Sequence, residues 1–306
     1  MATDLQRLHS VSGGAPGPVP QEDRSVVAGL DALESTAQLP PKPGPGRIFV
    51  KTVLPPIVFL AALVGLWQLA VVAEIKPPYA LPSPARVWEV FTTAVADGRA
   101  AEAVWISLSR AALGFALSLV IGTLLGLAMW WSRWLRAAIG PIVSGLQSLP
   151  SVAWVPAAVL WFGLTDATIY FVVLMGAVPS IANGLVSGID QVPPLLPRVG
   201  YAMGASRVQS ARLIMLPAAL PGFLGGLKQG WAFSWRSLMA AEIIATSPSL
   251  GFGLGAYLNE GQALSDMPSV IAAIILILIV GIGIELLFFR PAELRVLRAR
   301  GLGGGP

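Results

Sequence analysis

Three charged side chains lie inside one of the most apolar stretches of the chain, residues 218–245. They are Lys228, Arg236 and Glu242. An ionised group in hydrocarbon is costly unless it is paired or hydrated. Two arrangements meet this demand. One is a water-filled path whose cationic groups attract a small anion. The other is ion pairing inside a helix bundle, for example of Lys228 with Glu285.

The spacing of these charges is helical. Lys228, Trp231, Trp235 and Glu242 fall along one stripe of a helix, and Arg236 lies a quarter turn or less from it. We therefore treat five residues as candidates for the wall of a path: Lys228, Trp231, Trp235, Arg236 and Glu242.

Composition excludes several other chemistries. The chain has no cysteine, which excludes disulfides, thiolate metal sites and a cysteine nucleophile. Its one histidine, His9, lies in the polar N-terminal region, so a histidine metal site or Ser-His-Asp triad inside the membrane is also excluded. It has no Gly-x-x-x-x-Gly-Lys-[Ser/Thr] loop, so we do not expect it to bind ATP itself. No basic aromatic patch indicates nucleic acid. The glycine-rich residues 251–255 predict a tight re-entrant turn near the outer mouth rather than a nucleotide loop. No catalytic residue, metal or cofactor is assigned to the chain.

The overall balance of residues indicates an all-α membrane protein. Hydrophobic residues make up 55% of the chain and charged residues 12%, about half of the roughly 25% charged residues in soluble domains. The mean hydropathy is +0.73. Apolar runs of about 20 residues are the length that a bilayer core requires. They predict six transmembrane helices, at 53–73, 111–130, 142–164, 169–186, 218–245 and 270–289.

Proline divides the third predicted span, which contains Pro150 and Pro156, and the fourth contains Pro179. Such breaks are tolerated in a membrane where neighbouring helices or a water-filled path satisfy the freed backbone groups. A bundle lining a path is therefore favoured over six independent anchors.

Three regions follow from these patterns. Residues 1–50 are rich in proline and glycine and predict a disordered tail. Residues 51–290 form the transmembrane domain, and residues 291–306 form a C-terminal tail. Lysine and arginine are concentrated in the segments after the second, fourth and sixth spans, which predicts that both termini are cytoplasmic.

The segment between the fourth and fifth spans, about residues 195–217, predicts two short helices joined by a sharp turn. Pro197 is typical of a helix start, and Gly204 of a turn that needs positive φ. Ser206 and Gln209 form a capping-box pattern, and Pro217 is typical of the start of the fifth span. A compact cytoplasmic helix pair of this kind indicates a docking element for another protein.

This segment resembles the coupling loop of the inner-membrane permease subunits of ABC importers. Gly204, Ile214, Leu216 and Pro217 match the family spacing. The family's Glu-Ala-Ala positions hold Arg198, Val199 and Gly200 here, so the chain departs from the family at all three positions of the first coupling helix. Further stretches between residues 81 and 290 resemble the branch that imports nitrate, aliphatic sulfonates, taurine or bicarbonate. They include Leu81-Pro82-Ser83-Pro84, Gly204-Ala205-Ser206-Arg207, Ala240-Ala241-Glu242 and Gly251-Phe252-Gly253-Leu254-Gly255.

The resemblance implies a type I importer (MetI-like) fold in the inner or plasma membrane. It implies a second permease subunit, expected to be an identical copy, two ATPase subunits that bind ATP and Mg²⁺, and an extracytoplasmic binding protein that delivers the substrate. It also implies that an ATPase docks on the coupling loop, at Arg198, Gly200, Tyr201, Met203, Gly204, Ala205, Ser206 and Arg207.

Other interpretations stay open at this point. The substrate is a small anion or another small solute such as a pyrimidine vitamin precursor. A self-sufficient secondary transporter and a non-transporting scaffold are rival functions. For Arg110 we expect a side chain that reaches the lipid headgroups. We expect Trp130, Trp131 and Trp134 to form an interfacial belt, and the glycine series at 122/126 and 222/226/230 to mark close helix packing.

Overall fold

The computed structural model describes residues 54–299, and every regular element in that range is helical. The chain divides into two units, residues 1–63 and 64–306. The predicted tail at 1–50 lies outside the described residues. In chain order the helices are α1 (Leu54–Val72), α2 (Pro84–Ala96), α3 (Arg99–Trp131), α4 (Arg133–Ser148), α5 (Val155–Phe162), α6 (Asp166–Asp190), α7 (Leu195–Ala202), α8 (Arg207–Ser210), α9 (Leu216–Ile244), α10 (Leu254–Ala263), α11 (Met267–Ile284) and α12 (Arg290–Arg298). Short 3₁₀ turns lie at Ser151–Trp154 and Pro248–Leu250, and wider π turns at Ala211–Met215 and Glu285–Phe289.

The predicted all-α fold with about six spans is confirmed. Five continuous helical runs are long and apolar enough to cross a membrane, and α4 with the segment Ser151–Phe162 makes a sixth if this bent pair is counted as one span. The five runs are Leu54–Val72, Arg99–Trp131, Asp166–Asp190, Arg207–Ile244 and Met267–Arg298.

Four of these runs are longer than the apolar segments from which they were predicted, three of them by ten residues or more. α3 begins at Arg99 rather than near residue 111, and the fifth span extends back to Arg207. The sixth continues through α12, so the predicted C-terminal tail begins as a helix. Hydropathy detects only the part of a helix that lies in hydrocarbon, whereas backbone hydrogen bonding continues into the polar region. The amphipathic helix α2 was not predicted. It begins where the Ser83 hydroxyl accepts the backbone N–H of Arg86.

The predicted break in the third span is at Pro150 alone. α4 and the following helix meet there at 100°, because a residue before proline is driven out of the helical region, and Leu149 is extended (φ −75°, ψ 128°). Pro156 does not break the chain, since it lies in the first turn of α5, where a missing N–H is harmless. Pro179 lies within α6 without ending it.

The predicted glycine packing lies within this chain. A Cβ on Gly222 of α9 would lie 2.7 Å from the Cα of Gly188 on α6, and Gly226 faces Gly184 in the same way. On the other side of α6, a Cβ on Gly126 of α3 would lie 2.9 Å from a backbone oxygen of α6. Small residues allow this close approach of helices in a membrane. The central helix α6 therefore holds α3 and α9 at fixed positions.

Candidate functional site

The loop between α6 and α9 has the predicted helix–turn–helix form. Gly204 has φ +86°, in the left-handed region that favours glycine. Ser206 and Gln209 form the full capping box, with the Ser206 N–H donating to Gln209 Oε1 at 2.8 Å and the Gln209 N–H to Ser206 Oγ at 3.3 Å. α7 begins at Leu195, so the predicted start at Pro197 is two residues late.

The second helix of the loop is not a separate element, contrary to the expectation of two short helices. α8 continues through the π turn Ala211–Met215 into α9, and Pro217 lies in the first turn of α9. The backbone stays helical because proline in a first turn removes no hydrogen bond. Because α8 and α9 are continuous, the loop is joined directly to the fifth span.

The loop presents apolar side chains to its surroundings. Met203 is 82% exposed, Val208 63% and Tyr201 52%, and Arg198 and Arg207 are exposed beside them. An exposed apolar patch with a polar rim is typical of a protein interface. Gly200 differs from its neighbours, because it is buried against the side chain of Ile214 and a Cβ would collide there. Gly200 therefore supports the packing of α7, whereas Ala205 and Ser206 shape the turn.

Lys228 forms the ion pair that the sequence suggested. Its Nζ lies 2.9 Å from Glu285 Oε1 and also 2.9 Å from Glu293 Oε2. The second carboxylate was missed because it lies in the segment predicted to be a tail. The pair ties α9 to both the end of the sixth span and α12. Lys228 is therefore placed to hold helices together.

Trp231 and Trp235 face the core of the chain. Each is 7% exposed, and their rings stack with centroids 6.3 Å apart. Phe115 of α3 and Phe289 pack edge-on or tilted against Trp231. The predicted stripe that also holds Lys228 and Glu242 is therefore the packed face of α9.

A second face of α9, beside this stripe, is open and carries two polar side chains, Gln229 and Arg236. Gly225, Gln229, Ala232 and Arg236 are exposed and follow one another at helical spacing. The Arg236 guanidinium lies 4.6 Å from the ring centroid of Phe233, and its Nε donates to the carbonyl oxygen of Ala232 at 3.0 Å. Among residues 54–299 it makes no ion pair. Of the five path candidates, Arg236 is thus the one whose charged group faces away from the rest of residues 54–299.

Glu242 is 3% exposed and lies at the other end of α9 from the coupling loop. Its Oε1 lies 3.1 Å from Nη1 of Arg110, and Nε of Arg110 lies 2.8 Å from Oδ1 of Asp166. Arg110 is 8% exposed, so the expectation that it reaches the lipid headgroups is wrong. Its charge is satisfied inside the bundle, because α3, α6 and α9 bring two carboxylates to it.

The glycine-rich loop 251–255 closes around the same carboxylate. The Gly255 N–H and the Ser107 hydroxyl donate to Glu242 Oε2 at 3.0 and 2.6 Å, and Nη2 of Arg110 donates to the carbonyl oxygen of Leu250. Gly251 has φ +69°. The predicted tight turn is present, and Glu242 fixes it. Sequence reasoning missed Arg110 as a member of this site, although an arginine at the very start of an apolar run was a signal.

The residues described offer no metal site. Among residues 54–299, no group of three or more His, Asp or Glu side chains is placed to hold a metal ion. The charged groups inside the bundle pair with one another or, at Arg236, face outward.

Comparison with known proteins agrees with these features. The family model for the binding-protein-dependent transport system inner membrane component matches residues 118–289. The taurine transport system permease protein TauC of Escherichia coli (strain K12) is 30% identical over 231 residues, 73% of this chain and 84% of that protein. The nitrate import permease protein NrtB of Synechocystis sp. is 30% identical over 244 residues, 77% of this chain and 86% of that protein.

Two further matches are a permease and a solved structure. The riboflavin transport system permease protein RibX of Chloroflexus aurantiacus is 31% identical over 218 residues, 71% of this chain and 80% of that protein. A chain in a solved structure of the MetNI methionine ABC transporter, in an inward-facing conformation, has the same fold. The TM-score is 0.52, the identity is 22%, and the match covers 64% of this chain and 94% of that one. The chain thus belongs to the family of binding-protein-dependent transport system inner membrane components, and is an ABC importer permease subunit whose ATP hydrolysis is carried out by separate subunits.

Proposed function

We propose that the chain forms the membrane path of an ATP-driven importer for a small anion, namely an aliphatic sulfonate, taurine, nitrate or bicarbonate. An extracytoplasmic binding protein delivers this substrate. The observation that carries the proposal is Arg236, a cation on the open face of α9 with no carboxylate partner among residues 54–299. Taurine, nitrate and sulfonate permeases among the relatives support the same substrate class.

The depth of Arg236 supports a path rather than a lipid-facing position. It lies eight residues before the end of α9 at Ile244, roughly 12 Å along the helix axis. An arginine and a glutamine that faced hydrocarbon at this depth would be costly. The face that holds Gln229 and Arg236 therefore meets water, a second permease subunit, or both. A path between two identical copies would present two such cations to the passenger.

In this proposal, the coupling loop is the site at which ATP hydrolysis by the partner subunits is coupled to transport. Each of two ATPase subunits, which hold ATP and Mg²⁺, docks on one permease copy, at the exposed surface of α7 and α8 from Arg198 to Arg207. The exposed Met203 and Tyr201 support this docking. The positive-inside bias supports a cytoplasmic position for the loop and both termini. In this orientation, loop 251–255 and the Arg110–Glu242 pair lie toward the extracytoplasmic side of the membrane.

Uptake by the reconstituted complex tests the substrate class. Arg236→Gln should lower the rate of labelled anion uptake about tenfold, because losing one charge-assisted contact raises the barrier by roughly 1.5 kcal/mol. Arg236→Lys should retain most of the rate. Arg295→Gln is the control, since Arg295 is also exposed but lies on α12. Normal uptake by Arg236→Gln, with normal assembly and basal ATP hydrolysis, would remove the support for an anion path.

A second substrate class is favoured by one comparison. The riboflavin transport permease is 31% identical to this chain, which keeps a neutral, vitamin-like solute as the alternative. The same uptake experiment separates the two, because transport of a neutral solute should not depend on the charge of Arg236.

A further inference from the structure

A cavity of about 330 Å³ lies at the coupling-loop end of the bundle. Its walls are the end of α3, the start of α4, the end of α6, the two helices of the coupling loop, α7 and α8, and the π turn that follows α8. Its volume is at the low end of the range for small-molecule sites, about 300–1,000 Å³. Such a volume accommodates a compact polar group rather than a large solute.

The charges around this cavity are predominantly positive. Arg133, Arg136 and Arg207 line it together with one acid, Asp190, so three positive charges and one negative leave a net charge of +2. Arg136 is already paired, with Nη1 and Nη2 at 3.0 and 2.5 Å from the two oxygens of Asp190. Arg133 makes no ion pair with any residue in 54–299. The cavity is therefore suited to an anion that Arg133 and Arg207 share.

Aromatic residues place the cavity at the level of a membrane surface. Trp130 and Trp131 line it, and Trp134 follows Arg133 with 79% of its surface exposed. Arg207 lies 4.5 Å from the Trp131 ring centroid, which holds its guanidinium in place without neutralising it. Tryptophan is enriched where lipid headgroups meet water. A basic cavity between transmembrane helices at this level is suited to a lipid phosphate.

We infer that this cavity binds the phosphate group of an anionic phospholipid of the cytoplasmic leaflet. The inference rests on the proposed orientation of the chain. The phosphate takes the place of a missing counterion for Arg133 and Arg207, and the Tyr201 hydroxyl is a further donor on the wall. Tyr201 and Arg207 belong to the coupling loop. Occupancy by lipid therefore connects the composition of the inner leaflet to the surface on which the ATPase docks.

Lipid occupancy of the purified full-length chain tests the inference directly. The chain in detergent is titrated with phosphatidylglycerol or phosphatidylcholine, and bound lipid is counted by native mass spectrometry. We expect phosphatidylglycerol to bind more tightly, and Arg133→Gln to weaken it about fivefold, the effect of one basic residue at a membrane surface. Arg133→Lys should bind nearly normally. Arg295→Gln, an exposed arginine away from the cavity, should bind like the unaltered chain.

Three outcomes would overturn the inference. These are equal binding of the two lipids, equal phosphatidylglycerol binding by Arg133→Gln and Arg295→Gln, and displacement of the lipid by millimolar inorganic phosphate. The last would show that a free anion, not a lipid, is recognised. Arg133 is exposed and unpaired among the described residues, so its replacement should leave thermal stability unchanged. The experiment does not measure transport, so a negative result would not bear on the proposed function.

Discussion

Arg110 and Glu242 form an ion pair of 3.1 Å between α3 and α9, and both side chains are more than nine-tenths buried. A buried pair is costly to break from one side, because the remaining charge is left without a partner. Glu242 also accepts the Gly255 N–H. The pair therefore fixes two helices and the glycine-rich loop 251–255 to one another.

We expect Arg110→Met to destabilise the subunit by about 3–5 kcal/mol, the usual cost of removing one partner of a buried pair. The measurement is thermal unfolding of the purified chain in detergent. The double variant Arg110→Met with Glu242→Gln should recover part of this loss, since no unpaired buried carboxylate remains. A double variant whose loss equals the sum of the two single losses would show that the residues do not act as a pair.

Gly204→Val should uncouple ATP hydrolysis from transport. For a residue with a Cβ, the left-handed conformation that Gly204 adopts is less stable by about 1–2 kcal/mol. The turn between α7 and α8 should therefore change shape. We expect lower uptake, with normal membrane insertion and retained basal ATP hydrolysis. Gly145→Ala is the control, because a Cβ there meets open space. Uptake at the normal rate would remove the main support for docking at this loop.

Lys228→Gln should act on stability rather than on the choice of substrate. Its loss leaves Glu285 and Glu293 facing each other without a cation. All three side chains are partly exposed, so the effect should be smaller than that of Arg110→Met. We expect a lower unfolding temperature, partly restored by adding Glu293→Gln, and an unchanged ratio of uptake between anionic and neutral solutes. A changed ratio would return Lys228 to the path.

Topology is tested by reporter fusions at Gly98 and Ser206, which precede α3 and α8. The positive-inside bias predicts that they report opposite sides of the membrane, with Ser206 in the cytoplasm. Fusions within the exposed C-terminal helix, at Arg298, should agree with Ser206. The same side for Gly98 and Ser206 would overturn the proposed orientation.

The sequence predicted what depends on local spacing. The capping box of Ser206, the positive φ of Gly204 and the break at Pro150 were all read from neighbouring residues, and the structure has each of them. These features follow from backbone sterics and local hydrogen bonds, which a short window of sequence contains.

The sequence did not predict which face of each helix is buried. The stripe that includes Trp231 and Trp235 was a candidate path wall, yet it packs into the core, and only Arg236 faces outward. A helix that is apolar on most sides gives no periodic signal for its buried face. Arg110 was misplaced for the same reason, because its partners lie on two distant helices.

The measurement that tests the central claim most directly is uptake into proteoliposomes that contain this chain. Uptake of labelled taurine is compared with and without the partner ATPase, the binding protein and ATP. An importer permease with no ATP-binding site of its own should give uptake only when all three are present. Uptake by the chain alone, driven by an ion gradient and indifferent to ATP, would contradict the account and establish a self-sufficient secondary transporter.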